Sequence, residues 1–148
     1  MDPYKSGVLE KIWKPFHDKR IITSQVVAVL RGKIDNRELR LIKEKSRALI
    51  KGEIHELILT DEMNARPGDT VNNIAYVSFV EINAGGVLLS GDELVCERGV
   101  IGKVIGFDET HMPNHLNIVL SDKKMKDGTE LGLSVDDQMN FRMNGDEI

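Results

Sequence analysis

Four residues able to exchange protons or ligate a metal fall within eight positions. They are Asp108, Glu109, His111 and His115, in the stretch GFDETHMPNHLNIVL from Gly106 to Leu120. Carboxylates and imidazoles this close could wrap a divalent cation or pair as general acid and base. A zinc-binding H-x-x-x-H needs a helix to put i and i+4 on one face, and Pro113 between the histidines opposes that helix. No nucleophile signature or phosphate-cradling glycine motif stands nearby to give an acid–base pair something to act on. The expectation is therefore a polar connection entering a strand. Asp108 and Thr110 bond the amides that follow them, Pro113 fixes a turn, and Leu116, Ile118 and Leu120 alternate. His115 stands at the strand's start, within reach of a cleft at the sheet's end, and His111 sits near the loop tip in water. No metal or other cofactor is expected. The rival reading is an enzyme using the Asp108 to His115 loop, with or without a metal.

The elements that would carry this loop read as β-rich. IITSQVVAVL is a buried strand closed by Arg31-Gly32. EIHELIL directs Ile54, Leu57 and Leu59 inward, and NNIAYVSFVEI, VLLSGDELVC, VIGKVIGF and LNIVL follow at short intervals. PGD at Pro67 to Asp69, SGD at Ser90 to Asp92 and KDG at Lys126 to Gly128 are turn signals, with Gly supplying positive φ. Many short strands joined by such turns predict a mainly β fold, a small barrel or a curled antiparallel sheet. Two helices are expected beside it. One is a short N-terminal segment within residues 1–16, with Val8, Leu9, Ile12, Trp13 and Phe16 at helical spacing. The other spans Asn36 to Lys51, where Asp35 and Glu38 suggest a capping box and Leu39, Ile42, Ser46 and Leu49 share a face. The same segment also reads as a hairpin turning at Asp35-Asn36.

At 148 residues with 41% hydrophobic and 30% charged content, the chain suits one domain. Its β-rich core runs over residues 20–135, and 136–148 is expected to be a polar, partly mobile tail. A formal charge of −4 argues against nucleic acid. No apolar run approaches a membrane span, and no secretory or transit pattern is present, so a soluble cytoplasmic protein is expected. Cys96 is alone, so no internal disulfide forms and an inert, half-buried thiol is the expectation. The apolar N-terminal face needs cover from the barrel or from a symmetry mate, which makes a homo-oligomer an open expectation.

The order LILTDEMNARPGD, AYVSFVEI, LLSGDEL, GKVIGF and PNHLNIVL, from Leu57 to Ser121, resembles the glucitol/sorbitol-specific IIA component of the bacterial sugar phosphotransferase system. The resemblance implies a small barrel-like fold. It places Glu81, in FVEI, where that family carries its phosphoryl-accepting histidine, and His115 or Asn117 near the family's second histidine. A carboxylate cannot act as the neutral nitrogen nucleophile that forms a phosphohistidine. The expected function is a non-catalytic, phosphotransferase-IIA-like barrel binding a small molecule or a protein partner. Glu81, Asp108, Glu109, His111, His115 and Asn117 are its candidate ligand residues.

Overall fold

The β-branched density after Ile21 folds as strand, and sheet continues almost to the end of the chain. The structure, a computed structural model, describes residues 16–144. Twelve strands and no helix are found among the described residues: β1 (Ile22–Val29), β2 (Lys33–Ile34), β3 (Leu39–Arg40), β4 (Ser46–Leu49), β5 (Ile54–Thr60), β6 (Thr70–Val71), β7 (Ile74–Ala84), β8 (Gly86–Leu89), β9 (Glu93–Cys96), β10 (Gly99–Asp108), β11 (Asn117–Ser121) and β12 (Gln138–Arg142). Seven of them close a barrel in the order β1-β12-β9-β10-β11-β5-β7, with β7 returning to β1. Neighbours are antiparallel except β11 and β5, which run parallel with Asn117 opposite Glu56 and Ile118 opposite Leu57.

The strand period of two divides each wall into an inner and an outer face. Leu57 and Leu59, Ile118 and Leu120, Val80, Phe107, Met139 and Phe141 belong to one fully buried cluster inside the barrel. A seven-stranded barrel is narrow enough for side chains to fill it, so its centre is packed core and not a channel. Each such residue contributes about 1.5–3 kcal/mol when fully buried. Leu49 of β4 and Leu88 of β8 extend the same cluster, and Met125, Leu131 and Leu133 of the irregular segment before β12 pack against it. Outside the wall, Ile58, Val119, Ile105 and Ile74 meet Leu39, Leu41 and Val71 from the β3–β6 ribbon in a second, smaller cluster.

Several sequence expectations change. The stretch from Asn36 to Lys51 is neither helix nor hairpin. Leu39 and Leu41 are drawn to the outer cluster and Leu49 to the inner one, while β2 pairs with β7, β3 with β6 and β4 with β8. The amphipathic helix expected near the N-terminus lies outside the described residues, apart from Phe16. Gln138 to Arg142, read as part of a tail, is a barrel strand that buries Met139 and Phe141 and pairs with both β1 and β9. Ile54 faces outward at 45% exposed, being out of phase with Leu57 and Leu59. The PGD and SGD turns hold Gly68 and Gly91 at positive φ as expected, but Gly128 of KDG serves close packing instead. A Cβ there would lie 2.1 Å from the Val77 carbonyl oxygen and 2.6 Å from that of Leu30. Among the described residues no helix is long and apolar enough to cross a membrane.

Candidate functional site

The parallel pairing of β5 with β11 draws a row of functional groups across four strands of the outer wall. Phe79 of β7 stands opposite Glu56 of β5, Glu56 opposite Asn117 of β11, and Asn117 opposite Asp108 of β10. Cross-strand partners share a face, so all four point away from the barrel core that Leu57, Ile118 and Phe107 fill. His115, at the entrance to β11, folds over this row. Its Nε2 lies 3.3 Å from Glu56 Oε1, and its Nδ1 lies 2.8 Å from the Asn114 side-chain amide. The Phe79 ring meets it edge to face at 4.9 Å, and the exposed His111 ring stacks on it at 5.1 Å.

Asp108 sits at the other end of the row and is buried. It accepts hydrogen bonds from the Thr110 amide at 3.3 Å, the Thr110 hydroxyl at 2.7 Å and the Asn117 amide at 2.8 Å. The Asn117 side-chain oxygen is buried without a hydrogen-bond partner. Glu109 points away to an ion pair with Arg47 at 2.9 Å. Glu81 stands opposite Ile54 in β5, further along the wall than the Phe79–Glu56 pair. The structure therefore brings His111 and His115 to Glu56, with Asn117 on the next strand and Asp108 on the strand beyond it, and leaves Glu81 and Glu109 to other neighbours.

On the opposite face of β5, His55 turns inward beside its cross-strand partner Val80. Its Nδ1 accepts the Leu116 backbone N–H at 3.0 Å, which places the ring proton on Nε2, where it is donated to Glu53 Oε1 at 3.2 Å. Burial drives the His55 pKa below the ordinary histidine value, and Glu53 only partly opposes this. Burial also raises the Glu56 carboxyl above the ordinary range, against the lowering effect of His115 beside it. For Glu53 burial acts upward, but the Ile50 amide and His55 together outweigh it and hold its carboxyl below the usual value.

The residues that sequence reasoning missed are thus His55 and Glu56. The signal was a titratable pair inside the otherwise apolar EIHELIL, but their link to Leu116 and His115 depends on a parallel pairing of residues about sixty apart that no local pattern encodes.

The two rings differ in how firmly they are held. A neutral imidazole has one lone pair. That of His55 is taken by the Leu116 amide and that of His115 by the Asn114 amide. His55 therefore offers no nitrogen to a metal or an electrophile without giving up its bond to the Leu116 backbone. Among the described residues no group of three or more His, Cys, Asp or Glu side chains is arranged to hold a metal ion. A family model matches residues 16–142, and the chain belongs to that family, a family of unknown function (DUF6917). No curated protein and no solved structure matches it.

Proposed function

We propose that this member of a family of unknown function is a non-catalytic binding domain, in which a side-chain-filled barrel serves as a rigid scaffold and the outer wall takes a small molecule or a partner. The observation that supports this reading best is the commitment of both buried imidazoles. His55 and His115, the groups best suited to chemistry, spend their lone pairs on the Leu116 and Asn114 N–H donors. His55 also ties β5 to Leu116, and His115 reaches back to Glu56 of β5, so both rings serve to hold the start of β11 against β5. The likeness to phosphotransferase IIA proteins adds a scaffold without its phosphoryl acceptor, because Glu81 occupies that place.

Two measurements test the proposal. Elemental analysis of the purified chain should find no stoichiometric zinc, iron or manganese, and incubation with a phosphorylated histidine carrier protein should leave it unphosphorylated. One equivalent of zinc that disappears in the His111→Ala/His115→Ala double variant would replace this reading with a metalloenzyme at the Asp108 to His115 loop. Transfer of a phosphoryl group to any histidine would restore a phosphotransferase role.

A further inference from the structure

A second feature of the outer wall lies away from the histidines, where β9 and β12 meet the loop that precedes β12. An open cavity of about 490 Å³ sits there, within the range of sites that take small molecules. Val95 and Leu133 give it apolar surface, and Gln138 and Asn140 contribute side-chain amides. Its charge is unbalanced: the carboxylates of Glu97, Asp136 and Asp137 line it against the single guanidinium of Arg98. That guanidinium is turned onto backbone oxygens, donating to Leu131 at 2.7 Å and Gly132 at 2.9 Å. Asp137 accepts the Ser134 amide at 2.8 Å, which fixes the loop in place. Asp136 is held at φ 76°, with its own amide bonded to the Val26 oxygen at 2.8 Å. The side-chain oxygen of Asn140, a residue that lines the cavity, is buried without a hydrogen-bond partner.

We infer that this cavity binds a compact organic cation, a primary amine on a short aliphatic chain. The inference rests on the binding-domain reading and gives it a site and a ligand class. An ammonium carries three donors and no acceptor. It suits a wall of carboxylates and amide oxygens, while its aliphatic stem suits Val95 and Leu133. A carboxylate or phosphate ligand would face three like charges and find the one guanidinium already engaged. A neutral ligand would gain nothing from the charge.

The test is calorimetric titration of the full chain at low ionic strength with cadaverine, its diol analogue and glutarate. Cadaverine should bind at one site, and the other two should not. Glu97 is exposed, so Glu97→Gln leaves the fold intact. Asn adopts positive φ as readily as Asp, so Asp136→Asn does too. The double variant should bind cadaverine roughly ten-fold more weakly or worse, and high salt should act in the same direction. Equal binding of the diol, undiminished affinity in the double variant, or no heat with cadaverine would overturn the inference. The binding-domain reading fails separately, on stoichiometric metal or on phosphoryl transfer, whatever the amine result.

Discussion

His55 is a core histidine whose neutral form is built into the fold, and its behaviour with pH follows from that. Leu116 N–H needs an acceptor at Nδ1, so protonating that nitrogen breaks the bond and buries a charge. The folded-state pKa lies below the ordinary 6.5, so between those two values the unfolded chain binds more protons than the native one. This contribution to stability is complete above pH 6.5 and is lost as pH falls below it. Glu56 has the opposite sign. Its folded pKa lies above the ordinary 4.5, so its contribution is present at low pH and is lost as pH rises through the folded value. Substitution separates the two. His55→Asn keeps an acceptor near the Nδ1 position but cannot titrate, so its urea midpoint should drop less than the wild type's between pH 7.5 and pH 5. His55→Ala leaves the Leu116 amide buried without a partner and should cost about 1–3 kcal/mol at pH 7.5, and less at pH 5, where the wild type has itself lost part of this contribution. An Asn variant whose midpoint falls as steeply as the wild type's would show that His55 does not govern the acid limb.

At the scale of elements, the irregular segment between β11 and β12 contributes to the core without being a strand or a helix. It places Met125, Leu131 and Leu133 against the core. Two devices hold it. Asp127 accepts from the Gly32 amide at 2.8 Å, the Glu130 amide at 2.9 Å and the Thr129 hydroxyl at 2.7 Å, and the Gly32 bond leads the causes that keep its carboxyl acidic. Gly128 presses its backbone against Val77 and Leu30, donating to the Tyr76 oxygen at 3.0 Å. A methyl group at Gly128 must displace backbone, so Gly128→Ala should destabilise by about 3 kcal/mol. Gly99→Ala has positive φ but nothing within 4 Å of the added Cβ, so it should cost only about 1 kcal/mol. Thermal or urea unfolding of the two variants compares them directly, and similar losses would remove close packing as the explanation for Gly128. The KDG pattern identified a special glycine from sequence but assigned it the wrong reason, because steric closeness to another strand has no local signature. The long strands were readable, since β-branched runs between turn residues leave few alternatives. The short strands between Lys33 and Leu49 were not. Leu39, Ile42 and Leu49 happen to fall at helical spacing while serving two different clusters.

At the scale of the whole molecule, the last strand closes the barrel onto the first. β12 stands between β1 and β9, with Ile22 opposite Phe141 and Asn140 opposite Val95. The alternation in QMNFR, apolar at Met139 and Phe141, was the visible sign of a strand. Its polar surroundings hid the sign, and nothing local says that chain ends pair across the full length of the fold. The parallel β5–β11 contact was hidden for the same reason, and with it the assembly of Glu56, Asn117, His115 and Asp108. Pairing this remote in sequence slows closure, because loop entropy is spent before these contacts can form. A chain ending at Asp137 lacks Met139 and Phe141 from the core and leaves facing edges of β1 and β9 unpaired. Exposed edges of that kind invite association between chains. The truncated protein should therefore lose the cooperative urea transition and aggregate. Phe141→Ala in the full chain should keep the transition and lower stability by about 3–5 kcal/mol, as expected for a cavity at a fully buried ring. A truncated chain that stayed monomeric and unfolded cooperatively would mean that the other six strands close without β12, and that the seventh is an addition to the barrel and not its seal.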